Sequence, residues 1–175
     1  MTDQFSICFP ITEAWEGWHR FSNDPYDPGG ATWCGMTQRA YNTYRRQKDL
    51  PPQGVRNATD DEIRDCFRIN YWDAVRGDDL PSGLDLIVYD IAINMGPIVA
   101  IKFLQQALKV GVDGQFGLET LGAVQLCRDI PALILTISAH RRSFWHALKT
   151  FWRYGHGWLN RDSSIDKQAI AMARS

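Results

Sequence analysis

The segment Leu84–Met95 (LDLIVYDIAINM) constrains the fold more than any other part of the chain. Wound at helical pitch it is apolar on nearly every face, so it reads as a central buried helix. Gly96-Pro97 interrupts it, and another helix is expected to follow to about Lys109. The run is shorter than the roughly 18 apolar residues of a membrane span, and it carries Asp85 and Asp90. A helix that is apolar all round has to be wrapped by other elements. With 175 residues, 45% hydrophobic and 22% charged, the chain has the material to do so. That length gives one domain, or a catalytic lobe with a small appended lobe.

Helical patterns supply most of the wrapping. Phe5, Cys8, Phe9, Thr12 and Trp15 form a stripe in a first helix over 5–18. Pro10 should kink it or mark a late start, and Gly17 should stop it. Residues 23–30 are dense in Pro, Gly, Asn and Asp and cannot continue a helix; strand-like or hairpin backbone is expected around 31–36. Thr37–Lys48 is amphipathic, and a loop holding Pro51 and Pro52 follows. Thr59-Asp-Asp-Glu62 matches a capping box opening a helix that runs to about Trp72. Further helices are expected near 118–127 and 131–150, with a short last one over 163–174 capped by Ser163 or Ser164. The fold class is mainly α.

The net charge of −1 argues against an electrostatic nucleic-acid binder. The charge is uneven, however. Residues 128–175 hold eight Lys/Arg against three Asp, which suits either an anionic polymer such as a cell wall or a solvated helix face. Cys8, Cys34, Cys66 and Cys127 form no CxxC clip, and His140, His146 and His156 have no acidic or thiol neighbours in sequence. Buried thiols in a reducing cytosol, no metal and no cofactor are expected. The N-terminus shows no basic region followed by an apolar run, so synthesis in the bacterial cytoplasm without a signal peptide is expected.

Cleaving a glycosidic bond takes an acid for the leaving oxygen, and a second group that activates water or stabilises positive charge at the sugar. Glu16 is a candidate for the acid. It stands at a helix end between Trp15 and Trp18, just before the Gly-rich loop, where a carboxyl pKa can be raised. Taken alone it could equally be a surface Glu or a helix-end ion pair.

The surrounding residues decide more. Glu16-Gly17-Trp18, Asn23-Asp24-Pro25 and Asp27-Pro28-Gly29-Gly30-Ala31-Thr32-Trp33-Cys34-Gly35-Met36-Thr37 closely resemble the signature of glycoside hydrolase family 108. The resemblance continues through Leu50-Pro51-Pro52, Tyr71-Trp72-Asp73, Leu80-Pro81-Ser82-Gly83 and Tyr89–Pro97, and so spans most of residues 5–97. It implies a lysozyme-like helical fold and an N-acetylmuramidase of phage or prophage type, some members of which serve in protein secretion. It places the catalytic glutamate on Glu16, the loop carboxylate on Asp27 and threonines on Thr32 and Thr37. Asp24 is the alternative loop carboxylate. Where the family has a second Gly and an aromatic, this chain has Trp18 and His19, a change that could alter the loop behind Glu16. Asp90 and Asn94 share a helix face and either line a cleft or tie the helix to the loop at 23–30. Tyr71 and Trp72 could stack on sugar or pack in the core.

Val112-Asp113-Gly114-Gln115-Phe116-Gly117-Leu118-Glu119-Thr120 resembles the turn-and-helix of peptidoglycan-binding modules. The expected division is a catalytic lobe over 1–96 and a peptidoglycan-binding lobe over 97–175, where Trp145 and other aromatics lie among cations. The expected activity is hydrolysis of the β-1,4 bond between N-acetylmuramic acid and N-acetylglucosamine. Catalysis falls to Glu16, Asp27 and Thr32, and substrate binding to Asp24, Thr37, Tyr71, Asp90, Asn94 and Trp145. A catalytically weakened wall-binding protein and a lytic transglycosylase are the alternatives. Peptidoglycan is the expected partner, without nucleic acid or stable membrane insertion. The protein would be a monomer acting in the periplasm after export by a holin or another route.

Overall fold

The computed structural model describes residues 3–16, 20–23 and 30–175. It is a mainly α, lysozyme-like fold with one small antiparallel sheet. Two compact units are present, Phe9–Asn70 and Met1–Cys8 with Tyr71–Ser175.

The unit Phe9–Asn70 carries the sheet. Helix α1 (Gln4–Glu13) enters it at its C-terminal end. Strands β1 (Phe21–Ser22), β2 (Thr32–Trp33) and β3 (Met36–Thr37) follow, then α2 (Gln38–Gln47), a 3-10 turn (Val55–Asn57) and α3 (Asp60–Phe67). The strands pair in chain order, with Phe21 opposite Trp33 and Thr32 opposite Thr37. Cys34 and Gly35 join β2 to β3 with φ of 50° and 76°. Two successive left-handed residues are the geometry a tight two-residue hairpin needs. Thr37 then caps α2, its hydroxyl accepting from the Ala40 amide at 3.2 Å. The capping box forms as its sequence implies: Thr59 accepts from the Glu62 amide and Glu62 from the Thr59 amide. The same Glu62 accepts from Tyr41 Oη at 2.8 Å and from Arg45 Nη1 at 2.6 Å, which ties α3 to α2.

The other unit is built around α4 (Leu84–Met95), whose residues from Leu84 to Ala92 are all buried. It packs against α5 (Pro97–Leu108), α7 (Ile130–His146) and α8 (Phe151–Ala173), while α6 (Leu118–Leu126) covers α5. Gly83 opens α4 at φ +85°, and a Cβ there would fall 2.1 Å from the Ala169 carbonyl of α8. Only glycine lets the two helices approach this closely. Phe5, Trp72 and Tyr89 meet edge to face with ring centroids 5.3–5.9 Å apart. Trp72 is therefore a core residue, and its indole N–H donates to Asp78 at 2.9 Å.

Three expected elements differ. α1 ends at Glu13, and a tighter turn carries the chain on: the Trp15 and Glu16 amides donate to Thr12 and Glu13. Pro10 lies inside the helix without ending it, and the expected stop, Gly17, lies outside the described residues. α3 ends at Phe67 and passes into a wider π-type turn over Arg68–Trp72. The short last helix over 163–174 is instead the end of the 23-residue α8, and Ser163 and Ser164 lie in its interior. Ion pairs from Arg161, Asp162 and Asp166 tie that part of α8 to α4 and α7.

Candidate active site

Glu16 ends the turn after α1 and is half-buried. Its side chain lies over the hairpin turn. A Cβ built on Gly35 would stand 3.0 Å from the Glu16 Cβ and 3.3 Å from its Oε2. Gly35 thus does two jobs: it takes the left-handed turn and leaves room for the carboxylate. Thr32 stands on the neighbouring strand, Cα-paired with Thr37, and its hydroxyl makes a long 3.4 Å hydrogen bond to the Gly30 carbonyl. Glu16 thus lies against the turn of the β2–β3 hairpin, while Thr32 and Thr37 face each other on its two strands, with Thr37 engaged in capping α2. Trp15, which flanks Glu16 in sequence, is 41% exposed. Asp24, Asp27 and Trp18 lie outside the described residues.

The remaining candidates, Tyr71, Asp90, Asn94 and Trp145, belong to the other unit. Tyr71 is half-buried and Asn94 is exposed on the last turn of α4. Asp90 is fully buried. Its Oδ2 accepts from Arg141 Nη1 at 2.7 Å and its Oδ1 from Arg161 Nε at 2.9 Å. It ties α4 to α7 and α8 through two arginines, so the tie runs to these helices and its carboxylate faces no solvent. Arg141 also reaches Asp162 at 3.3 Å, and Arg142 pairs with Asp162 and Asp166. Three of the eight cations of the C-terminal third are therefore matched inside the molecule, whereas Arg128, Lys149, Arg153, Lys167 and Arg174 are exposed. Burial pushes the Asp162 and Asp166 carboxyls above their usual range despite these cations.

Trp145 is almost wholly buried and stacks on Trp158 at 5.7 Å, and Trp158 in turn stacks on Tyr154 at 5.9 Å. Beside this stack lies a cavity of about 320 Å³, lined by Asn94 and Met95 of α4, Phe144 and Trp145 of α7, and Leu148 and Trp158. The Asp113-Gly114 motif has a local structural task. The buried Gln105 amide donates to Asp113, the Gln115 carbonyl and Thr120, and accepts from the Gly114 amide, fixing the turn that starts α6. The Gln115 amide and then the Gln105 side chain, both donating to Asp113, hold its carboxyl below its ordinary range.

Sequence reasoning missed two relations. The seat of Glu16 on Gly35 is a contact between positions far apart in the chain, with no local signal. The Asp90–Arg141 pair had one: an Asp on an all-apolar helix needs a cation, and the surplus of cations lies in the last third. Among the described residues no group of three or more His, Cys, Asp or Glu is arranged to hold a metal. Among the described residues no helix is long and apolar enough to cross a membrane.

A lysozyme-like helical fold with a small antiparallel hairpin, and a half-buried Glu lying against its turn, fits one class: a glycoside hydrolase. The glycosyl hydrolase 108 family model matches residues 9–96, and the chain belongs to that family, whose members hydrolyse peptidoglycan. It is similar to the solved structure of Brucella abortus SagA, at 34% identity and a TM-score of 0.82, over 98% of this chain and 96% of that one. A search of curated proteins found no match.

Proposed function

We propose that the chain is an N-acetylmuramidase that hydrolyses the β-1,4 bond between N-acetylmuramic acid and N-acetylglucosamine, with Glu16 as general acid. The observation that carries the reading is the seat of Glu16: a carboxylate held against Gly35 on the hairpin, with Thr32 on the adjoining strand. In this role Glu16 protonates the departing glycosidic oxygen. Asp27 orients the attacking water or stabilises positive charge at the sugar, and Thr32 positions the water or the carboxylate. The unit holding α5–α8 contributes to holding the wall polymer. The enzyme acts on the periplasmic cell wall after export from the cytoplasm, in lysis or in secretion.

Mass spectrometry of peptidoglycan digested by the purified protein tests the bond and the reaction. Soluble products with reducing N-acetylmuramic acid ends support the proposal. Reducing N-acetylglucosamine ends would assign the other glycosidic bond. Products lighter by one water, with anhydro ends, would make the protein a lytic transglycosylase.

A further inference from the structure

The cavity beside the Trp145–Trp158 stack has a lining unlike that of a generic surface hollow. Its walls are aromatic and aliphatic, and Asn94 supplies its amide. No lining residue carries a formal charge. Two cations touch the stack without lining the cavity: the exposed Arg153, 5.4 Å from the outer Tyr154 ring, and Arg141, 4.5 Å from the Trp145 ring centroid and matched by Asp90 and Asp162. The stack is held from below by that buried network. It then runs outward: Trp145 is 2% exposed, Trp158 is half-buried, and Tyr154 is 47% exposed. Consecutive rings lie within 30° of parallel. An anchored row of aromatic faces ending in solvent, with one free amide at its edge, is a preformed site of the size that small ligands use.

We infer that this cavity is a subsite for an uncharged N-acetylated sugar ring of the glycan, with Trp158 as its stacking platform and Asn94 as its hydrogen-bonding group. The inference rests on the reading of the chain as a glycan hydrolase, and it names which part of the polymer the cavity takes. Charge selects the occupant. The stem peptide of peptidoglycan carries carboxylates, and burying one against this lining would leave it without a partner. A pyranose instead presents an apolar C–H face to an indole, and its acetamido group offers a methyl for the aliphatic wall and an amide for Asn94. The neutral N-acetylglucosamine units fit this description, and the peptide-bearing units do not.

The test uses the full chain carrying Glu16→Gln, so that binding is measured without turnover. The probes are tri-N-acetylchitotriose, a neutral oligomer, and the free stem peptide. Affinities are read by calorimetry and by quenching of tryptophan fluorescence. The trisaccharide is expected to bind, and Trp158→Ala to weaken it about tenfold or more. Trp158→Tyr should retain most of the affinity, and Asn94→Ala should weaken it severalfold. Free stem peptide should not compete. Asn94 is exposed at a helix end, so its variant keeps the test decisive even if Trp158→Ala fails to fold. The inference is overturned if the trisaccharide does not bind, if folded Asn94→Ala and Trp158→Ala bind it as the unsubstituted protein does, or if stem peptide displaces it. None of these results bears on Glu16, whose role stands or falls on cleavage.

Discussion

At Gly35 the hairpin backbone and the side chain of Glu16 meet in a space that no other residue would leave open. Gly35→Ala adds a methyl 3.0 Å from the Glu16 Cβ at φ +76°. The expected cost is about 1–2 kcal/mol in denaturant unfolding. Cleavage should fall more than the stability loss accounts for, because Glu16 must shift; full activity in a folded Gly35→Ala protein would contradict its placement. Asp85 makes a second prediction at this scale. Its side chain accepts from the Gly83 and Leu86 amides, and burial lifts its carboxyl from 3.8 to about 6 against the pull of those two bonds. A carboxyl with a raised folded pKa binds its proton more tightly folded than unfolded. Its stabilising contribution is full below pH 3.8 and is lost as pH rises through about 6. Asp85→Asn, which can still accept both amides, should stabilise the protein at pH 7.5 by on the order of 2 kcal/mol and flatten the fall in stability between pH 4 and 6. Unfolding curves across that range check it; an Asn variant less stable at pH 7.5 would contradict it.

Among the elements, α3 shows what a local signal can specify. Thr59 and Glu62 lie three residues apart and satisfy each other's amides, so Thr59-Asp-Asp-Glu62 was legible as a helix start. Thr59→Ala should cost about 1 kcal/mol. Glu62→Ala should cost more, about 3 kcal/mol, because it also leaves Arg45, 6% exposed, without its carboxylate. Equal costs in chemical denaturation would argue against the link between α2 and α3. α4 was legible for the same kind of reason: its apolar faces and the flanking Gly83 and Gly96 are local. α8 was legible only in its second half, over 163–174. The stretch before it, where Arg161 and Asp162 find partners on α4 and α7, was not, because no window of sequence holds those partners.

Over the whole molecule, the interior of the α4–α8 unit depends on charges that sequence alone left on the surface. Asp90 meets Arg141 and Arg161 with no exposure of the first two side chains. Removing Asp90 takes the carboxylate that both Arg141 and Arg161 bind, so Asp90→Ala should cost about 3–5 kcal/mol and loosen the contact of α4 with α7 and α8, seen as faster hydrogen exchange along all three helices. A loss under 1 kcal/mol would contradict the network. The catalytic constellation was legible only through the resemblance of residues 16–37 to a family pattern, because helix period and composition say nothing about which carboxylate faces a substrate. The structure adds the seat of Glu16 against Gly35 and the pairing of Thr32 with Thr37 on the same hairpin. Everything functional in this account turns on Glu16. Its most direct test is digestion of purified peptidoglycan by wild type and Glu16→Gln at matched concentration, with confirmed folding of both. The account predicts a loss of muropeptide release on the order of a hundredfold or more in the variant; release at the wild-type rate by Glu16→Gln would contradict it.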